Sequence, residues 1–493
     1  MRDHLVLYIN GARQEVRGRD AFLSLSDYLR RRCGLVGTKI VCSEGDCGAC
    51  TVLVGRPTPG RDALAYRPVD SCIQFMFQLD GAHVVTVEGL RPDRGLNAVQ
   101  QAMIDCHGSQ CGFCTPGFVV AMTGLLEQTN GDALDGNPFD HEAWRRGLTG
   151  NLCRCTGYAP ILDAAIQACE AEHQRLNDLY LAAPMLSDLD AIADDPIEIE
   201  APGPLGSTTA VQRVACPATL AAALAFLAAH PDARIVAGAT DIGVRANKSG
   251  RLPDTILDLN RVAELDFVRV EPRALVAGAR ASWTSLLAAC ETACPEFARI
   301  LSVFGAPQIR HVGTIGGNLA NASPIADSLP FLFVMEATLT LASAAGRRAI
   351  NINDFYHGYK KFDLRPDELI AEVRVPLPAA DETLRLYKIS RRRDLDISTF
   401  TAAIRMKLAI QRIERASIAL GGVGPVVVRA RRTEQFLAGQ AFSEDTLGAA
   451  GNLAVSEIAP ITDVRGAADY RRQLTRNVLL KFFHQAQAEP IAV

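Results

Sequence analysis

The 493-residue sequence has few aromatic side chains, 6% Phe, Trp and Tyr, and no strong excess of either charge, since 51 Lys and Arg stand against 55 Asp and Glu. Its basic residues are dispersed rather than gathered into a tract, so no nucleic-acid partner is expected. Long apolar runs are also missing. The longest, about Val214 to Ala229, is alanine-rich and interrupted by Pro217 and Thr219. It falls short of the ~18 residues a membrane-spanning helix needs, so it reads as a buried helix and no membrane association is expected. The chain does not open on a charged segment followed by an apolar core and a cleavage site, so no export signal is expected. Fourteen cysteines without such a signal do not suggest a secreted disulfide framework. Reduced thiols, metal ligation and a cytoplasmic location fit better. Several catalytic signatures are absent as well: no Ser/His/Asp pattern, no H-E-x-x-H and no zinc deaminase box.

What is present begins with cysteine. Cys42, Cys47 and Cys50 stand at C-x4-C-x2-C spacing with two glycines between them, and Cys72 completes a set of four. That is the plant-type ferredoxin spacing for a [2Fe-2S] cluster. Glycines let such a loop turn through positive φ and bring its amides near sulfur. A structural zinc site, the main rival, more often shows two C-x2-C pairs or a Cys/His mixture. Around this loop, residues 5–9 and Gln14 to Val16 read as a hairpin about Asn10-Gly11, Ser24 or Ser26 as a cap for a short helix, and Thr51 to Val54 and Val84 to Val87 as further strands.

From Leu96 the pattern turns helical. Ala98 to Met103, Phe118 to Leu126 after the breaker Pro116-Gly117, Trp144 to Leu148 and Ile161 to Ala168 supply four helices for a bundle. Cys111-x2-Cys114 and Cys153-x-Cys155 are set into it. A C-x-C pair is too tight for one helix face, so Cys153 and Cys155 are expected on a loop that Gly150-Asn151 and Gly157 permit. Cys106 also stands at C-x4-C-x2-C spacing with Cys111 and Cys114, but it continues an apolar helix face and reads as a core cysteine.

The strings Glu-Gly-Asp-Cys-Gly-Ala-Cys-Thr51, His-Gly-Ser-Gln-Cys-Gly-Phe-Cys-Thr-Pro-Gly117 and Gly-Asn-Leu-Cys-Arg-Cys-Thr-Gly-Tyr158 resemble the N-terminal half of the xanthine dehydrogenase family of molybdenum hydroxylases. The resemblance implies two [2Fe-2S] clusters. Cys42, Cys47, Cys50 and Cys72 would hold one in a ferredoxin-like β-grasp domain (1–88), and Cys111, Cys114, Cys153 and Cys155 the other in a four-helix-bundle domain (89–172).

Residues 173–209, acidic and then rich in Pro and Gly, read as a solvated linker. Beyond it, Ile235-Val-Ala-Gly-Ala-Thr-Asp-Ile242 and Thr314-Ile-Gly-Gly-Asn318 are runs of small residues where backbone amides could approach a diphosphate. Neither is a G-x-G-x-x-G fingerprint, so a Rossmann site is not expected. Both are similar to flavin-binding loops of the same family. The resemblance implies an FAD domain of the vanillyl-alcohol-oxidase type over 210–384, with FAD held by Ile235, Val236, Ala237, Gly238, Ala239, Thr240, Asp241 and Ile242 and by Thr314, Ile315, Gly316, Gly317 and Asn318. Phe304, Asp327, Ile370 and Lys388 would occupy further FAD positions. The chain has Ala237-Gly-Ala-Thr240 where the family often has Gly-Gly-Asn-Thr, which removes one asparagine side chain from the cradle.

A C-terminal α+β domain (385–493) is expected to carry a strand at Phe400 to Leu408 and a last helix near Asp469 to Gln487, giving a multidomain α+β fold overall. Lys388 to Asp396 reads equally as an exposed charged loop or as a gate beside the flavin, with Arg391 to Arg393 attracting a dinucleotide's phosphates. Cys290 and Cys294 read as core. By the resemblance this is the iron–sulfur and FAD subunit of a split enzyme. A molybdopterin-binding large subunit would oxidise hypoxanthine and xanthine to urate, and NAD+ would accept the electrons. A dimer of heterodimers is the expected assembly, and electrons would pass from molybdenum to the helical-domain cluster, the ferredoxin-like cluster, FAD and NAD+. Related hydroxylases of aldehydes or N-heterocycles, and a non-enzymatic electron carrier, are the alternatives.

Overall fold

The computed structural model describes residues 1–91, 95–128, 140–203 and 211–488. The chain forms two compact units, one of residues 1–263 with 306–313, the other of 264–305 with 314–493.

In the first unit, β1 (His4–Ile9) and β2 (Ala12–Arg17) are antiparallel across Asn10 and Gly11, both at positive φ, which is the turn Asn-Gly favours. Ser24 caps α1 (Leu25–Arg31) by accepting the Asp27 N–H at 3.2 Å. With β3 (Thr51–Pro57), β4 (Leu64–Asp70) and β5 (His83–Val85) the sheet order is β2-β1-β5-β3-β4, β1 and β5 running parallel. Leu25, Tyr28 and Leu29 of α1 are buried with Leu5, Leu7 and Val52 of the sheet, the β-grasp arrangement. Strand β4 had no clear sequence signal because it contains Pro68, which only an edge strand tolerates.

Helices α2 (Ala98–Asp105), α3 (Thr115–Gln128), α4 (His141–Gly147) and α5 (Ala159–Glu170) enclose Met103, Phe118, Met122, Trp144 and Ile161. Pro116-Gly117 opens α3 instead of breaking the chain before it. Proline is tolerated there because first-turn amides have no intrahelical partner.

The segment expected as a solvated linker is structured as far as residue 203. It forms α6 (Leu176–Leu179), α7 (Ala182–Asp190) and β6 (Ile197–Pro202), and Leu176, Met185 and Leu186 join the bundle core. Its residues 204–209 lie outside the described residues. β6 is an edge of a second sheet, β6-β7-β9-β8, with β7 (Val211–Cys216), β8 (Arg234–Val236) and β9 (Thr255–Asp258). The long apolar run is therefore a strand followed by α8 (Leu220–Ala229), not one buried helix. Thr219 caps α8, which buries only Leu220, Ala223 and Leu227. α9 (Ile242–Ser249) lies between β8 and β9 in sequence.

The chain then enters the second unit through β10 (Val268–Glu271), β11 (Ala274–Gly278), α10 (Trp283–Ala293) and α11 (Pro295–Ser302), and returns to the first for α12 (Pro307–Val312). The second unit continues with α13 (Ile315–Asn321), α14 (Leu329–Val334), β12 (Thr338–Ser343), β13 (Gly346–Asn351), a helical turn α15 (Ile352–Phe355), a small ribbon of β14 (Tyr356–Gly358) and β15 (Lys361–Phe362), and β16 (Leu369–Pro376). An antiparallel sheet β10-β11-β16-β12-β13 results, and its core takes in Cys290 and Cys294. The rest is a meander of β17 (Glu382–Ile389), β18 (Phe400–Ala409), β19 (Arg412–Gly421) and β20 (Val428–Arg429), with α16 (Arg431–Leu437), α17 (Glu444–Val455) and α18 (Ala468–Ala488). Leu479 and Phe482 of α18 are buried with Phe400 and Ile404 of β18.

Candidate iron–sulfur and flavin sites

The 42–50 loop links α1 to β3 and turns through positive φ at Ser43, Gly45 and Gly48. Its thiols converge: Cys42 is hydrogen-bonded to Cys47 and Cys72, and Cys72 also to Cys50. These bonds, first that from Cys47, hold Cys42 well below the ordinary thiol range, while Cys47 and Cys72 are pushed up. The Glu44 N–H donates to Cys42 Sγ at 3.4 Å. The Cys50 thiol faces the buried Asp70 carboxyl at 3.7 Å, and burial raises Asp70 to about 7. Among the described residues no group of three or more His, Cys, Asp or Glu side chains is arranged to hold a single metal ion. The donor chemistry is four thiols with an amide aimed at sulfur, which fits an iron–sulfur group.

In the bundle, Cys111 and Cys155 bring their sulfurs to 3.6 Å, and Cys114 is hydrogen-bonded to Cys153. Burial, then Cys153, pushes Cys114 up to about 12. Against the opposing effect of burial, hydrogen bonds led by that of Thr156 lower Cys153, and the Thr156 hydroxyl donates to its sulfur at 3.3 Å. Gly112, Gly157 and Tyr158 have positive φ, so both pairs sit on turns, as the C-x-C spacing required. Cys106 closes α2 and bonds the Gln167 carbonyl at 3.0 Å instead of joining this set.

The two cysteine loops meet. The Leu152 N–H, next to Cys153, donates to the Cys47 carbonyl at 3.0 Å, and the Asn151 amide donates to the Gly48 carbonyl at 3.0 Å. Added Cβ atoms on Gly48 and Gly117 would overlap the carbonyls of Gly150 and Gly48. These glycines therefore serve the close approach of the loops, a role the cysteine spacing alone did not reveal.

The Ile235–Ile242 loop joins β8 to α9 in the first unit. Its Ala237 and Gly238 carbonyls accept from the Gln78, Asn260 and Gln74 side chains. Gly238 abuts the Val312 carbonyl, and Ala239 has φ of 59°. Asn247 of α9, unremarked in the sequence, donates to the carbonyls of Cys72 and Ser43, both at 2.9 Å. The strand–loop–helix form, a run of small residues leading into a helix start, fits a phosphate-bearing group.

In the second unit, Thr314 accepts the Gly317 N–H, Gly316 packs on Ala279, and Asn318 accepts the Ser328 hydroxyl at 2.7 Å. Gly317 is exposed, which leaves the backbone there open to a ligand. Phe304 stands edge-on to Trp283, and Ile370 is buried in β16. Lys388 is not part of an exposed loop. Its ammonium donates to Asp327 at 2.7 Å, to Ser398 at 2.8 Å and to the Asp396 carbonyl at 2.8 Å, and the Lys388 and Asp327 side chains are 4% and 8% exposed. Arg391, Arg392 and Arg393 are exposed, with Arg392 paired to Asp396.

Comparison with known proteins gives four family matches in chain order: the 2Fe-2S iron–sulfur cluster binding domain at 7–72, the [2Fe-2S] binding domain at 86–166, the FAD binding domain in molybdopterin dehydrogenase at 209–378, and the CO dehydrogenase flavoprotein C-terminal domain at 385–486. They define an iron–sulfur flavoprotein of the electron-transfer kind. Xanthine dehydrogenase 1 of Arabidopsis thaliana is 31% identical over 97% of this chain and 39% of its own length. Aldehyde oxidase 1 of Bos taurus is 29% identical with the same two coverages. The chain thus spans about two fifths of these relatives. A solved carbon monoxide dehydrogenase from Hydrogenophaga pseudoflava, 28% identical, matches 56% of this chain and 96% of its own with a TM-score of 0.53. The chain belongs to the molybdenum hydroxylase family and carries its [2Fe-2S] and FAD electron-transfer domains.

Proposed function

We propose that this chain is the iron–sulfur and FAD subunit of a xanthine dehydrogenase. It would work with a separate molybdopterin-binding subunit that oxidises hypoxanthine and xanthine to urate, in a dimer of heterodimers in the cytoplasm, with NAD+ as final acceptor. The observation that carries this reading is the fusion: one chain matches xanthine dehydrogenase over 97% of its length in unbroken order, whereas the carbon monoxide dehydrogenase chain aligns with 56% of it. When bound, the clusters supply one-electron transfer, and the flavin supplies conversion between single electrons and hydride. The ligands on this reading are Cys42, Cys47, Cys50 and Cys72 for one cluster and Cys111, Cys114, Cys153 and Cys155 for the other, with FAD on the loops 235–242 and 314–318 and at Phe304, Asp327, Ile370 and Lys388. This chain's residues fix positions: Leu152 ties the two cysteine loops, and Asn247 ties the first loop to the helix that follows the flavin loop.

The match to an aldehyde oxidase supports a second reading, a hydroxylase of aldehydes with the same electron line. The test is anaerobic co-purification with the molybdopterin-binding subunit, followed by metal and flavin counts, EPR of the dithionite-reduced protein and substrate assays. Two [2Fe-2S] signals, bound FAD and xanthine-dependent NADH formation are expected. Turnover of aldehydes alone would move the assignment to the second reading, and zinc in place of iron would end both.

A further inference from the structure

Gln308, on α12, is 1% exposed and reaches into the junction of the two cysteine loops. Its amide donates to Asn151 Oδ1 at 2.8 Å and to Thr51 Oγ1 at 3.3 Å. Asn151 in turn donates to the Gly48 carbonyl, and the Thr51 hydroxyl donates to that same carbonyl at 2.7 Å. Asn151 stands two residues before Cys153, Gly48 one after Cys47, and Thr51 one after Cys50. One side chain from a distant part of the sequence therefore binds groups next to ligands of both sets. Room for it is specific: a Cβ on Gly150 would overlap Gln308 Oε1, and that oxygen is buried without a hydrogen-bond partner. A buried polar atom left unpaired is costly. It is tolerated here where the donors of the same amide are engaged on both loops.

We propose that Gln308 is a positioning residue that sets the separation and mutual orientation of the two cluster-bearing loops, and through them the electronic coupling between the clusters. The proposal rests on the reading that these eight thiols hold two [2Fe-2S] groups. The process it governs is passage of one electron from a reduced cluster to an oxidised one, with no atom or proton transferred. Such transfer weakens steeply with distance, so a small opening of the junction acts on coupling before it acts on ligation. α12 is followed directly in sequence by Gly313 and the Thr314–Asn318 loop proposed for FAD. The residue that clasps the cluster loops is thus carried by the flavin-binding part of the chain.

The test compares wild-type holoprotein with Gln308→Met, which keeps the volume and loses the donors, and Gln308→Glu, which keeps the shape and removes both amide protons. Each is matched for iron content, reduced with dithionite and examined by low-temperature EPR for the magnetic splitting between the two cluster signals. Both variants are expected to keep two signals at wild-type g-values and to narrow or lose the splitting. Wild-type splitting in the fully loaded Met variant would show that Gln308 acts by packing alone and overturn the proposal, as would wild-type splitting in both variants. Absence of iron from the wild-type chain would be read in the metal count, and would bring down the cluster reading on which the proposal stands.

Discussion

His83 is buried as a neutral side chain. Its Nε2 accepts the Gly11 N–H at 3.0 Å, its Nδ1 pairs with the Tyr66 hydroxyl at 2.7 Å, and burial lowers its pKa to about 4. Between pH 6.5 and 4 the unfolded chain binds a proton here that the folded chain refuses. Stability contributed by His83 is therefore full above about pH 6.5 and lost as pH falls towards 4, a change of about 3 kcal/mol. Denaturant titrations across that range should show a shallower pH slope for His83→Gln than for wild type by this amount. Lys388 and Asp327 give a second residue-scale expectation. Lys388→Met strands a buried carboxylate and should cost about 3–5 kcal/mol, with much of it recovered in the double variant Lys388→Met/Asp327→Asn, where no lone charge remains. Unfolding midpoints of the three proteins check this, and an additive double variant would refute it. The cysteines were legible because their spacing is local. Gln308 was not, because its partners Asn151 and Thr51 lie far from it in sequence and nothing around Pro307 marks it.

At the scale of elements, α3 shows how a helix start can serve a neighbouring loop. Gly117 in its first turn lets the Gly48 carbonyl approach, and a Cβ would occupy that space. The backbone of Gly117 is helical, so Gly117→Ala carries no dihedral strain. Its expected cost of about 1–3 kcal/mol comes from overlap alone. Thermal unfolding together with iron content should show lower stability and weaker iron retention. The hairpin, α1, the bundle helices and α18 followed from turn chemistry, caps and helical period. Other elements did not. β4 is hidden by Pro68, the apolar run from Val214 splits where Pro217 and Thr219 interrupt it, and α6 and α7 are short helices whose acidic surroundings resemble a linker.

At the scale of the whole molecule, the two units should unfold in separable steps, since chains with more than one compact unit seldom melt as one. The His83 effect then belongs to the step of the unit that contains β5, leaving the other unmoved. The order of family matches along the chain was readable from motifs, but the division of contacts was not. The segment 306–313 belongs with residues 1–263 although its flanks belong elsewhere. That membership has a consequence for synthesis. A chain made from its N-terminus presents all eight thiols to the cell well before the ribosome has reached Gln308. On the reading proposed above, iron and sulfide delivered during that interval would meet a junction that still lacks its last clasp, and completion of α12 would then close it.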